Sequence, residues 1–150
     1  MNLIEQLNKH QYFYLAEIGE PEANQLRIVI LEARISGETE DIDLGVAKIS
    51  DVHPIVTDET CYAYEIIFES YIGYSVRNES YVGWDESEES TGKLFRVYSK
   101  SHFLDFIRAS AMYASEDDPG KFTHFEVVCL EHVIDVASVD KPQINILRRA

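Results

Sequence analysis

The chain is poor in cysteine and in positive charge, and each shortage excludes a class of protein. Its 150 residues include only two cysteines, Cys61 and Cys129, so neither a disulfide framework nor a cysteine-rich metal site is expected. Both fall in predicted strands, where buried, reduced thiols are expected. The 13 basic residues stand against 27 acidic ones, and the net charge of −14 disfavours binding to nucleic acid or to an anionic membrane.

Long apolar runs and targeting signals are missing as well. No stretch approaches the ~20 apolar residues that span a bilayer. Residues 1–17 lack the basic and apolar regions of a secretory signal, so we expect a cytoplasmic protein and discount the glycosylation sequon at Asn78. Phosphate-binding glycine loops and the GxSxG and HExxH motifs are also absent. The sequence therefore predicts no enzyme, no catalytic residue and no cofactor.

The stretch Cys61–Trp84 is rich in tyrosine and holds the only tryptophan. Its apolar side chains alternate with polar ones, which predicts strands over about 61–69 and 73–82 in the middle of a sheet. A turn or bulge near Ser70–Gly73 joins them, and one long bent strand is the alternative. The odd positions of the second strand, among them Ser75 and Arg77, form an amphipathic face that meets solvent or a partner.

The rest of the chain contains two predicted helices and further strands. A short N-terminal helix is expected over 2–14, and the main helix over about 101–115 begins at a serine cap. Further strands are expected at 26–35, 43–49, 94–98, 122–130 and 133–139.

Helices and strands do not alternate regularly, which argues against a doubly wound sheet. The predicted fold is α+β, a mostly antiparallel sheet with the main helix packed on one face. The length fits a single domain over residues 1–150, ending in a loose tail at 141–150.

Three acidic runs fall in predicted loops, at residues 38–43, 85–89 and 116–118. Each is explained by an ordinary solvated loop, since exposed acids cost little there. Three such runs in one small chain also favour an acidic face that attracts basic partners. The sequence leaves both interpretations open.

Several chemical sites were considered and none is favoured. His102, His124 and Glu126 form a metal site only if the helix start lies beside their strand, and we predict no metal. A nucleophilic Cys129–His124 pair needs an electropositive site, which this acidic chain does not offer. Glu65 lies about 13 Å from Glu69 along a strand, too far for glycoside chemistry.

Aromatic side chains provide the remaining candidate surface. They either anchor an interface or fill the core, and both outcomes are open. The candidates are Tyr71, Tyr74, Tyr81 and Trp84.

As a small acidic α+β chain without catalytic motifs, the protein resembles the immunity proteins of bacterial toxin systems. The resemblance is carried by three stretches and picks out no particular family. They are YSVRNESYVGWDE (Tyr74–Glu86), LFRVYSKSHFLDFI (Leu94–Ile107) and HFEVVCLEHVIDVAS (His124–Ser138). It implies a cytoplasmic inhibitor that binds one toxin domain.

Physical reasoning agrees with this resemblance, because toxin domains that attack nucleic acid have basic clefts that attract an acidic protein. Aromatic residues would anchor the partner while acids steer it. The predicted contact residues are Tyr81, Trp84, Asp85, Glu86, Glu88 and Glu89. One alternative is a structural or regulatory module, homodimeric through an exposed strand. A second is a small-ligand binder or enzyme whose site contains tyrosines and His124.

Overall fold

A computed structural model describes residues 2–37, 40–43, 45, 48–111 and 121–149. The acidic run at 116–118, the start of the run at 38–43 and the predicted helix end at 112–115 lie outside these residues. The elements in chain order are α1 (Leu3–Leu7), β1 (Tyr12–Gly19), β2 (Leu26–Ile35), β3 (Glu40–Asp43), β4 (Lys48–Val52), β5 (Ile55–Val56), β6 (Ala63–Phe68), β7 (Tyr71–Asn78), a 3₁₀ turn (Glu79–Tyr81), β8 (Glu89–Thr91), β9 (Phe95–Lys100), α2 (His102–Ser110), β10 (Thr123–Val128), β11 (His132–Ser138) and β12 (Gln143–Arg148).

The described strands form two five-stranded sheets and one separate hairpin. The first sheet has the order β1-β2-β6-β12, with β5 paired to the end of β2, and the second has the order β7-β11-β10-β9-β8. Strands β3 and β4 form the hairpin, and the strand pairs in all three sheets are antiparallel. The predicted fold class is therefore confirmed: α+β, mostly antiparallel, with one main helix and a short N-terminal helix.

One apolar core joins the two sheets. It takes Ile28 and Ile66 from the first sheet and Ile134 from the second, all fully buried. The rings of Phe68 and Phe125 meet between the sheets with their centroids 5.6 Å apart. Each sheet therefore has one face on this core and a second face turned away from it.

The tyrosine-rich stretch divides between the two sheets. Strand β6 lies between β2 and β12, and its even side chains Tyr64, Ile66 and Phe68 are buried as predicted. Strand β7 lies at the edge of the second sheet, does not pair with β6, and leaves Val76 44% exposed. The prediction of a mid-sheet position is thus correct for the first strand and wrong for the second, because alternation reveals a strand but not its partners.

The structure corrects both ends of the chain. The first helix ends at Leu7, and Tyr12–Gly19 is a strand, because β-forming residues such as Phe13 bury better on the sheet than in a continued helix. At the other end, the prediction of a loose tail is wrong for Gln143–Arg148. That segment pairs with β6 and half-buries Ile144 and Ile146.

Helix α2 packs on the outer face of the second sheet, as predicted. Its cap is Ser101, whose Oγ accepts a hydrogen bond from the backbone N–H of Leu104 at 3.0 Å. Leu104 and Ile107 pack on Ala137 in a small second core. A Cβ at Gly73 would lie 2.8 Å from the Ile107 side chain, so glycine lets β7 pass close under the helix.

The side chain of Asn8 ties α1 to the start of β9. Its Oδ1 accepts hydrogen bonds from the backbone N–H groups of Lys93, Leu94 and Phe95 at 2.8, 2.8 and 2.9 Å. Its Nδ2 donates to the carbonyls of Ile4 and Phe95 at 3.1 and 3.0 Å. One amide thus gives partners to backbone groups at the start of β9 and adds a second donor to the Ile4 carbonyl of α1.

We predict that Asn8→Ala lowers the free energy of unfolding by about 3 kcal/mol, because backbone donors lose their acceptor. Asn8→Asp keeps the accepting oxygen and should cost clearly less. Urea denaturation of the two variants and the parent measures both changes. Equal losses in the two variants would show that the accepting oxygen is not the stabilising atom.

Candidate functional site

The strand register gathers charged side chains on the outer face of the second sheet. Ser75 of β7 lies opposite Asp135 of β11, which lies opposite Glu126 of β10, which lies opposite Arg96 of β9. Neighbours across an antiparallel pair point to the same side of the sheet. These four side chains therefore form one row across four strands, on the face away from the main core.

A cleft of about 500 Å³ opens above this row. Its floor is the sheet, one wall is the loop that follows the 3₁₀ turn, and the other wall is the start of α2. The floor residues are Ser75, Arg77, His124, Glu126 and Asp135. The wall residues are Gly83, Trp84, Asp85, Glu88, His102, Phe103 and Phe106.

The floor contains a buried hydrogen-bond network centred on His124. Its Nε2 lies 2.7 Å from Oδ1 of Asp135, and its Nδ1 lies 2.7 Å from Oγ of Ser101. His124, Asp135 and Ser101 are each at most 2% exposed. The imidazole therefore connects the cap of α2 to a buried carboxylate in the sheet.

Two arginines donate hydrogen bonds to the buried carboxyl groups. Arg77 donates from Nε to Asp135 at 2.9 Å and from Nη2 to Glu126 at 3.3 Å. Arg96 donates to Glu126 at 3.4 Å, and the Tyr98 hydroxyl donates to the same carboxyl at 3.0 Å. Buried charges are tolerated when they are paired and hydrogen-bonded, and these contacts meet that condition.

The two adjacent carboxyls differ in their proton affinity. Burial, together with the neighbouring Asp135, raises the pKa of Glu126 to about 8. Burial alone would also raise the pKa of Asp135, but hydrogen bonds to His124 and Glu126 and the charge of Arg77 lower it on balance. Glu126 is therefore the carboxyl of the pair that is more readily protonated, and Asp135 is the one that is more readily ionised.

These residues also resemble a metal-ligand set. The ligand atoms of His124, Glu126 and Asp135 all lie within 4.8 Å of one another. The metal site of His102, His124 and Glu126 required the start of the helix to lie beside β10, and Ser101 does contact His124 there. His102, however, bonds to Asp85 instead. A metal ion would also have to displace Arg77 from both carboxyls. The arrangement suits an internal ion-pair network better than a metal centre.

The wall loop is fastened to the start of α2 by His102. Its Nε2 lies 2.5 Å from Oδ2 of Asp85, and its backbone N–H donates to Glu88 at 3.0 Å. Hydrogen bonds from Ser87 and then from His102 lower the pKa of Asp85 to about 2. Asp85 in turn raises the pKa of His102. We call the Asp85–His102 pair the clasp, and it holds Trp84 beside the cleft.

The predicted contact residues are only partly brought together by the structure. Trp84, Asp85 and Glu88 line the cleft, whereas the exposed Tyr81, Glu86 and Glu89 lie outside its lining. Trp84 is 86% exposed and Tyr81 is 87% exposed. Asp85 and Glu88 make hydrogen bonds inside the chain, so part of their role is to hold the loop in place.

The other sequence candidates lie elsewhere. Glu65 forms an ion pair with Arg27 of the neighbouring strand at 2.5 Å. This pairing explains why an acidic side chain occupies that position of the sheet. Burial raises the pKa of the Cys129 thiol to about 12, which leaves no thiolate for a nucleophilic pair. Tyr71 and Tyr74 both donate to Glu20 and do not line the cleft.

Sequence reasoning missed Arg77, Phe106 and Asp135 as members of one site. A signal was available in the strands, where His124 and Glu126 occupy alternate positions of β10 and Asp135 interrupts the apolar β11. Ionisable residues on one face of an otherwise apolar strand must be paired if that face is covered. The sequence did not reveal that β7 and β9 supply the arginines.

Comparison with known proteins gives no relative: no family model, curated protein or solved structure matches this chain. Among the described residues, neither helix has the length and apolar character that crossing a membrane requires. The proposals on function therefore depend on the geometry of the cleft and of its rim. We use rim for the outer parts of the two walls, which carry Trp84, Glu88 and Phe106.

We predict opposite pH dependences for two substitutions in the floor. Because folding raises the pKa of Glu126 from 4.5 to about 8, its stabilising contribution is complete below the lower value and is lost as pH rises through the higher one. Glu126→Gln mimics the protonated side chain and should gain stability relative to the parent as pH rises.

Asp135→Asn should behave in the opposite way. Folding lowers the pKa of Asp135, so its contribution is present at neutral pH and is lost on acidification. Urea denaturation at a series of pH values measures both differences. Parallel pH profiles for the two variants would contradict the assigned difference in proton affinity.

We also predict that the clasp controls the surroundings of Trp84. Trp84 is the only tryptophan of the chain, so tryptophan fluorescence reports on this loop alone. The Asp85–His102 ion pair should be lost as pH rises through the raised pKa of His102, to which Glu88 and Asp105 also contribute. The emission should change over that range. Asp85→Asn has no ion pair to lose and should abolish the transition, whereas Glu86→Gln in the same loop should leave it in place.

Proposed function

We propose that this chain is an acidic binding protein that inhibits a basic protein, in the manner of an immunity protein that neutralises a toxin domain. The observation that carries the proposal is the exposure of Trp84 and Tyr81, at 86% and 87%, beside a run of acidic residues. Large aromatic side chains gain most when a partner covers them, and they dominate the energy of many interfaces.

The surrounding charge favours a basic partner. The loop that holds Trp84 continues through Asp85 and Glu86 to Glu88 and Glu89, and the chain as a whole carries a net charge of −14. Such a field speeds encounter with a positive surface and repels acidic proteins and nucleic acid. In this proposal the acids act on association, and the aromatic residues act on the lifetime of the complex.

The cleft floor is better suited to supporting this surface than to catalysis. Both carboxyls and His124 are bonded within the network, and each is at most 2% exposed. A catalytic acid or base must reach a reacting atom, and these groups already bind their neighbours. We therefore propose a role without catalysis, in which the network fixes α2 and the sheet beneath the rim.

A homodimer is the second candidate, because one specific feature favours it. Strand β7 is an edge of the second sheet, and its Val76 is 44% exposed. An exposed edge strand offers unpaired backbone groups to a second copy of the chain. Sedimentation equilibrium of the isolated protein separates self-association from binding to a different protein.

The test begins with capture of a partner from a lysate of the native host, followed by kinetics with the purified partner. Neutralising Asp85, Glu86, Glu88 and Glu89 to their amides should slow association about tenfold or more at low salt. Trp84→Ala should instead leave association nearly unchanged and speed dissociation. High salt should reduce the difference between the parent and the neutralised protein.

A matched control neutralises four exposed acids outside the cleft and its loop. The control residues are Glu5, Glu22, Glu59 and Asp140. If both sets of substitutions change the association rate equally, general charge explains the effect and the acidic rim does not. A captured partner that is acidic, or an association rate independent of salt, would overturn the proposal.

A further inference from the structure

The rim of the cleft selects one kind of side chain from a basic partner. We propose that the cleft receives an arginine, whose guanidinium group stacks on Trp84 and pairs with the carboxylate of Glu88. This inference rests on the proposed function, because it names the group by which a basic protein is anchored. It concerns the wall residues of the cleft and not the buried network of its floor.

Two aromatic side chains on the walls are largely exposed. Trp84 is 86% exposed on one wall, and Phe106 is 66% exposed on the other. Phe103 lies beside Phe106 along α2 and also lines the cleft. A flat cation gains from contact with the face of an indole, and guanidinium stacks there more readily than ammonium does.

The arginines of the floor already donate hydrogen bonds to carboxyl groups of the chain. The guanidinium groups of Arg77 and Arg96 are engaged by the carboxyls of Glu126 and Asp135. An anionic ligand would compete with these buried carboxyls and would also meet the negative field of the whole chain. The hydrogen-bonded floor and the negative charge of the chain therefore disfavour an anion, and the proposed cation site lies on the walls.

Glu88 is the wall acid with an uncommitted oxygen. Its Oε2 accepts from the backbone N–H of His102, while Oε1 has no hydrogen-bond partner among the described residues. Asp85, by contrast, uses one oxygen for Ser87 and the other for His102. Glu88 is half-buried, so an added charge-assisted hydrogen bond is less screened there than on open surface.

The size of the cleft agrees with a single inserted side chain. Its volume of about 500 Å³ falls within the range of roughly 300–1,000 Å³ that holds small molecules. Trp84 and Glu88 both line the cleft from the loop wall, and a backbone hydrogen bond from Glu88 to Asp85 closes the turn that separates them. The proposed guanidinium binds between these two side chains. Lysine has the charge but lacks the planar group that stacks.

The test uses N-acetyl-arginine amide as the probe and the side-chain N–H signal of Trp84 as the reporter. The chain has one tryptophan, so its nitrogen-15 spectrum contains one indole signal. We expect this signal to shift with saturation on adding the arginine probe. The citrulline analogue has the same planar shape without the charge, and the lysine analogue has the charge without the planar guanidinium group. Both should bind markedly more weakly.

Substitutions at the rim complete the design. Glu88→Gln should raise the half-saturating concentration about tenfold, as the loss of one charge-assisted hydrogen bond does. Glu59→Gln, an exposed acid in the turn between β5 and β6, is the matched control and should leave binding unchanged. The dispersion of the remaining amide signals verifies that each variant is folded.

Three results would overturn the inference: no saturable shift with arginine, equal binding of citrulline, or equal binding of lysine. Equal titrations for Glu88→Gln and the parent would remove Glu88 from the site. Failure here differs from failure of the proposed function. If a basic partner binds with salt-sensitive kinetics while the arginine probe does not, only the anchoring group is wrong.

Discussion

Two carboxyl groups placed side by side within a covered sheet face are the constraint on which the site depends. Glu126 and Asp135 lie opposite each other on β10 and β11, and both are nearly inaccessible to water. An unpaired carboxylate in that position would be strongly destabilising, so neighbours must supply protons or positive charge. Arg77 and Arg96 do so from the two flanking strands, and the different proton affinities of the two acids remove part of their repulsion.

The same network determines where α2 begins. Asp135 binds His124, and His124 binds the hydroxyl of Ser101, which caps the helix. The start of α2 is thus fixed to the sheet by polar contacts, while Leu104 and Ile107 fix its apolar side. Because His102 follows the cap directly, the loop that carries Trp84 is fastened to the same point.

This arrangement separates a fixed floor from an exposed rim. The floor residues satisfy one another, whereas Trp84 and Phe106 remain available to an incoming molecule. Such a division fits a protein that binds, since a preorganised surface loses little conformational freedom on association.

The sequence by itself determined several of the strands, such as β2, β6 and β10, and which positions of β6 face a core, namely Tyr64, Ile66 and Phe68. Three of the six predicted contact residues, Trp84, Asp85 and Glu88, lie in one wall of the cleft because they are close together in the chain. Only the tertiary structure decided that β6 and β7 belong to different sheets, that Gln143–Arg148 is a strand, and that residues from four strands share one row. Alternation records the face of a side chain, whereas partners and register follow from long-range packing that no local pattern contains.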